Sequence, residues 1–265
     1  MKKKVFLSLV SIGILALAGC GEYAEFTLIE DDQEAEQKFE EAKSKNEDAD
    51  DYNERELESV IIGSYTEDEE VIDIDTTLKE RIGIEDSRYY FDLLVESNYG
   101  TCYSYTRYNS TDNLYYDYIK LNFTYESDGT EINFNGSLMS VNDDYDSTVD
   151  YDREMIDTQL GVYSLASVEF SDDIEVYTNA DGYYKIEIND DEYVKDIIID
   201  DSGHTLEMSV VAGDVTETDK INYQVEFDEV LPDDYEEKTF EEQFQFLFSV
   251  IQFYSLSFGE ISLGI

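Results

Sequence analysis

The sequence predicts a mainly β protein: a long antiparallel, curved meander sheet, half-barrel or sandwich-like, covered by a C-terminal helix. Three observations carry this. Runs of period-two alternation recur from about residue 59 onward, separated by turn signals such as SDG, NADG and DDSG. The runs are apolar on one face and polar or acidic on the other, so a second layer must cover the apolar face. The late segment KTFEEQFQFLFSVIQFYSLSF has helical apolar spacing and supplies that layer. At 265 residues, the chain fits one large β domain or two small ones, and 42% hydrophobic residues exclude a wholly disordered chain.

Taken in order, the chain opens MKKKVFLSLVSIGILALAGC. Lys2 to Lys4 form a basic stretch and Val5 to Leu17 an apolar one. A spanning helix needs about 20 apolar residues, so this run reads as an export signal over 1–19. Leu17-Ala18-Gly19-Cys20 resembles the lipobox of bacterial lipoproteins. That resemblance implies cleavage before Cys20 and a diacylglyceryl group on its thiol. Cys20 is then a lipid anchor, and the protein is held on a membrane of the bacterial cell envelope, outside the cytoplasm. A single acyl chain binds a bilayer marginally and reversibly, whereas two hold stably.

Residues 20–58 are dominated by acids, and apolar residues thin out after Ile29. The expectation is a solvated tether with a short helix around Ala35, Phe39 and Ala42, lifting the folded domain off the membrane. The β domain is placed at 59–265.

Within it, LYYDYIKLNFTYE puts Tyr115, Ile119, Leu121, Phe123 and Tyr125 on one face, with Asp117 the exception there. Tyr116, Tyr118, Lys120, Asn122, Thr124 and Glu126 fall on the other. After SDG, TEINFNGSL alternates again, so the pair reads as a hairpin. The runs around NADG and DDSG, and the alternation of Tyr223, Val225 and Phe227, extend the meander. The hairpins at 118–134 and 193–208 align with one gap; an internal repeat and two independent hairpins are both open readings. A short helix is expected at Thr76–Ile82, ended by Gly83. The C-terminal helix is expected at about 239–254, with Thr239 and Glu242 at capping-box spacing. Phe240, Phe244, Leu247, Phe248 and Ile251 form its apolar lid stripe, widened by Phe246, Val250 and Phe253.

The charge balance is 65 acidic against 17 basic residues, a net −48. Such a surface repels phosphate backbones, which excludes nucleic acid as a partner, and it collects diffuse cations. The one histidine, His204, reads as an exposed turn residue, and Cys102 as a small strand residue. Neither a zinc ligand set nor a phosphate-binding or nucleophile motif is present, and no cofactor is expected. Asn179-Ala180-Asp181-Gly182 departs from a calcium loop because Ile188 stands where the terminal acid would fall, so it reads as a hairpin turn. The 23 tyrosines read mainly as packing residues.

The loose pattern IIIDDSGHTLEM…INYQVEF…LP resembles the LolA/LppX class of half-barrel lipoproteins. That resemblance implies a curved sheet whose helices close over a lipid or acyl chain. The functional expectation is a membrane-anchored extracytoplasmic lipoprotein whose non-catalytic β domain has a structural or interaction role. The alternative is a carrier of a lipid or other hydrophobic ligand between sheet and helix.

Overall fold

Two meanders, each an unbroken series of hairpins, are joined edge to edge into one sheet. The computed structural model describes residues 23–49, 54–67, 70–85, 88–109, 114–127, 130–142, 165–223 and 240–258. The first meander comprises β2 (Glu54–Glu67), β3 (Glu70–Glu85), β4 (Arg88–Ser97), β5 (Gly100–Asn109), β6 (Leu114–Ser127) and β7 (Thr130–Asn142). The second comprises β8 (Ile174–Thr178), β9 (Tyr184–Asn189), β10 (Val194–Ile199), β11 (Thr205–Ala212) and β12 (Val215–Asn222). A short β1 (Thr27–Leu28) pairs with β8. The order is β1-β8-β9-β10-β11-β12-β2-β3-β4-β5-β6-β7, antiparallel throughout, and the sheet is open and curved. The seam is β12 against β2, running from Thr216 opposite Ile62 to Asn222 opposite Glu56.

Two helices cover one face. α1 (Asp32–Asp48) precedes the first meander but packs on the strands of the second. α2 (Phe240–Phe258) follows the second meander but packs on the first. Each helix therefore closes a long loop across the seam.

The short helix expected around Ala35, Phe39 and Ala42 is α1, and it packs on the sheet where a solvated setting was expected. Asp31 caps it, its carboxylate accepting from the Glu34 amide at 3.0 Å. Asp32 and Glu34 in the first turn and Lys45 in the last complement the helix dipole. Its charge density is tolerated because Ala35, Phe39, Ala42 and Asn46 leave water on one narrow stripe. They meet Val176, Ile186, Ile197, Ile199 and Met208 of the sheet, with Leu165. Asn46 is buried and donates to the Gly203 carbonyl at 2.9 Å while accepting from the Leu165 amide at 3.2 Å. Gly203 sits at φ +98°, and a Cβ there would lie 2.1 Å from the Lys45 carbonyl oxygen, so the helix end approaches that turn too closely for a side chain. The folded chain thus begins well before residue 59.

The short helix expected at Thr76–Ile82 is instead the middle of β3. Leu78 is paired with Ser59 on one side and Val95 on the other, and Gly83 continues the ladder opposite Glu54 and Tyr90. Two neighbouring strands outcompete a weak capping signal. The C-terminal helix reaches Phe258, four residues past its expected end, while Thr239 lies outside the described residues. The NADG segment is the expected hairpin turn: Asn179 Oδ1 accepts from the amides of Asp181 and Tyr183 at 3.0 and 2.9 Å.

Candidate functional site

Register alone assigns the helix-bearing face. Leu78, Val95, Cys102, Leu121 and Gly136 stand side by side across β3 to β7, and Ser59, Asp219, Met208 and Ile197 continue the row through β2 to β10. Over the first meander, α2 packs on Val95, Cys102, Leu121, Phe123 and Leu138 of this face. Phe246 lies against Gly136 and Phe134, its ring 5.7 Å from that of Phe134. Phe253 meets Phe123 edge-on at 5.8 Å. Thr76 Oγ1 donates to the Ser257 carbonyl at 2.6 Å, and the Ser97 and Ser257 hydroxyls lie 2.8 Å apart, pinning the helix end. Phe258 reaches on to Ile61, Ile74 and Val215 at the seam.

Between the two apolar clusters the same face carries charge. Ser59 and Arg55 of β2, Glu80 of β3, Lys195 of β10 and Glu217 and Asp219 of β12 all point to the helix side by register. Arg55, Ser59, Lys195 and Asp219 are buried. Ser59 donates to Glu217 Oε1 at 3.3 Å. Glu217 Oε2 and Asp219 Oδ1 are buried without a hydrogen-bond partner among the described residues. Burial pushes the carboxyls of Glu217 and Asp219 up and the Lys195 ammonium down, because each charged form loses hydration. Glu80 is pushed up to about 7 by burial, against the opposing pull of Arg55. These residues escape a search for apolar faces, yet a signal exists. In VTETDKIN, Glu217 and Asp219 are in phase with Val215 and Ile221, and in β3 Glu80 is in phase with Ile74, Leu78 and Ile82.

The opposite face is less polar than expected. Tyr118 is buried and stacks on Tyr105 with centroids 5.1 Å apart, a packing residue although its phase places it on the polar face. Arg107 lies over the Tyr105 ring and pairs with Asp92 at 2.6 Å, both side chains nearly dry. Farther along, Lys185 bridges Glu187 and Asp196, each at 3.2 Å. Asp117, the exception on the apolar side, is accommodated by a 2.7 Å bond from Thr106 Oγ1.

The lid stripe needs correction. Phe244, Leu247, Phe248 and Ile251 are 67%, 42%, 61% and 65% exposed, on the outer side of α2. The side that meets the sheet carries Phe246, Val250, Phe253 and Ser257. Both sides have apolar residues at helical spacing, and the inner one wins because Gly136 leaves room for Phe246 and Ser257 can reach Thr76 and Ser97. The side chain of Phe240 lies outside the described residues, as do Leu17, Ala18, Gly19 and Cys20. His204 is buried rather than exposed, its Nδ1 3.3 Å from Asp200 Oδ2 and its ring beside Tyr223. Cys102 is fully buried, with its thiol pushed up by burial, as suits a strand residue under a helix. Among the described residues, no group of three His, Cys, Asp or Glu is placed to hold a metal ion, and no helix is long and apolar enough to cross a membrane.

The chain matches no family model, and no curated protein sequence is significantly similar to it. Among solved structures it is similar to the lipoprotein LppX of Mycobacterium tuberculosis, at 9% identity and a TM-score of 0.29, over 71% of this chain and 94% of that one. A DUF1329 family protein from Desulfovibrio piger is similar at 12% identity and a TM-score of 0.23, covering 71% and 91%. A β-barrel-like protein of the domain of unknown function DUF1849 from Brucella abortus is similar at 10% identity and a TM-score of 0.24, covering 66% and 97%. Likenesses this loose carry no functional conclusion.

Proposed function

We propose that this chain is an extracytoplasmic lipoprotein held on the membrane through acylated Cys20, and that its β domain is a non-catalytic structural or interaction module. The observation that carries the second part is the direct packing of helix on sheet. Phe246 on Gly136 and Phe134, Phe253 on Phe123, and Phe39 among the isoleucines of the second meander lie between the two layers, where the carrier reading places an acyl chain. The first part is supported by Leu17-Ala18-Gly19-Cys20 following a basic and an apolar stretch.

A carrier role is the second reading, and one observation favours it. The charged strip at the seam lies between two apolar clusters, with Glu217 Oε2 and Asp219 Oδ1 lacking donors among the described residues. An amphiphile with a donor-bearing headgroup would suit that pattern. Native mass spectrometry of the purified protein decides between the two: the mass of the acylated chain alone fits the module, and an additional co-bound lipid fits the carrier. For the anchor, Cys20→Ser should leave the protein unprocessed or released from the membrane fraction. A Cys20→Ser protein still processed and membrane-bound would overturn the anchor.

A further inference from the structure

We infer that the outer stripe of α2 rests on the surface of an uncharged lipid bilayer. The inference builds on the Cys20 anchor proposed above. Phe244, Leu247, Phe248 and Ile251 recur at i, i+3, i+4 and i+7, so they form one continuous line on the side of α2 opposite the sheet. From Gln243 to Phe258 the helix has no charged residue, within a chain that is 31% charged. The contrast with α1 is direct. The outer residues there include Glu36, Glu40, Glu47 and Asp48, all exposed. Scattered apolar residues on a surface need no partner, but a line of four on one helix marks a contact.

Chain length and charge choose the occupant. Only Gly21 and Glu22 separate Cys20 from Tyr23, whose ring packs edge-on against that of Tyr183 with centroids 6.2 Å apart. Three Cα steps reach about 11 Å at most, so an acylated Cys20 holds the folded domain against the bilayer, with no room for the expected spacer. A second copy is disfavoured, since 65 acidic residues remain on each acylated chain and two such surfaces repel. Anionic lipid is disfavoured on the same ground. A zwitterionic headgroup layer has no net charge to oppose the acidic domain, and Phe, Leu and Ile side chains enter its boundary as an interfacial helix does.

The chain contains no tryptophan, which makes the test specific. Phe248→Trp in the full acylated protein, reconstituted on phosphatidylcholine vesicles, should emit to the blue of its value in detergent-free buffer. Brominated phosphatidylcholine should quench it. Tyr193→Trp, on the turn between β9 and β10, should stay water-like and unquenched. Phe244→Ser and Ile251→Ser added to Phe248→Trp should abolish the quenching. Vesicle flotation reads the anchor separately. Protein that floats with an unquenched probe at 248 overturns the bilayer contact and leaves the anchor standing. A probe already blue-shifted without vesicles, and insensitive to bromolipid, reports a protein contact and overturns it too. Equal quenching at 193 and 248 means non-specific adsorption and also overturns it. If the protein does not float, the anchor fails, and quenching on simple addition of vesicles then decides for or against the stripe.

Discussion

The two helices dock on the sheet through stripes of identical spacing and carry outer sides of opposite character, charged on α1 and apolar on α2. α1 buries Ala35, Phe39, Ala42 and Asn46, and α2 buries Phe246, Val250, Phe253 and Ser257. In both, steps of four, three and four residues end on a polar side chain or backbone group bonded to the far end of the packed surface, Asn46 to Gly203 and Ser257 to Thr76. A line of four residues forms the inner edge of each helix, widened on α2 by Tyr254, Leu256 and Phe258. The outer positions serve other ends: charge on α1, apolar side chains on α2. Composition therefore misleads in both directions. The acid-rich helix is part of the core, and half of the apolar helix is not.

The largest expected effects test the inner stripes. Phe39→Ala and Phe253→Ala each remove a fully buried ring and should each lose about 3–5 kcal/mol, read by urea denaturation. Hydrogen exchange separates them. The first should loosen amides in β8 to β11, and the second those in β3 to β7. Equal loosening of the whole sheet would show that the seam couples the two halves into one cooperative unit.

Next comes the charged strip between the halves. Glu80 holds its proton up to about pH 7 in the folded protein, against an ordinary 4.5. The folded state therefore binds this proton more tightly than the unfolded chain. Its stabilising effect is complete below pH 4.5 and is lost as pH rises through 7, a change of up to about 3 kcal/mol. Glu80→Gln should flatten this fall in denaturation midpoint between pH 5 and 8. Glu217 and Asp219, also raised by burial, shift stability in the same direction, so the slope should shrink and not vanish. A slope unchanged in Glu80→Gln would mean that Glu80 is hydrated and ionised in the folded state.

The smallest effect is the sharpest test of which side of α2 faces inward. Phe248→Ala should change stability by no more than about 0.5 kcal/mol in the absence of membrane, because the ring is 61% exposed. A loss comparable to that of Phe253→Ala would restore the outer stripe to the core.

Much of the architecture was legible along the chain. The alternation in LYYDYIKLNFTYE and TEINFNGSL specifies strands, because a half-buried strand repeats every two residues and a turn such as NADG fixes where it reverses. The covering C-terminal helix was equally legible from its 3.6-residue spacing. The charged strip was visible only as acids in phase with apolar residues, a pattern that reads as noise until the neighbouring strands are known.

By itself, then, the sequence determined the strand-rich class, the hairpins, the existence of a covering helix and the lipobox-like Leu17-Ala18-Gly19-Cys20, since each is set by spacing between near neighbours. Tertiary structure alone decided three things. It made Thr76–Ile82 a strand, because Ser59 and Val95 supply ladders on both sides. It buried the helix of the acid-rich N-terminal segment in the core, because the strands that cover Phe39 lie more than a hundred residues away in the chain. It turned Phe246, Val250 and Phe253 toward the sheet and Phe244, Phe248 and Ile251 away from it, because two opposite stripes have the same local periodicity. Only the surface they meet, with its space at Gly136 and its hydroxyls at Thr76 and Ser97, can choose between them.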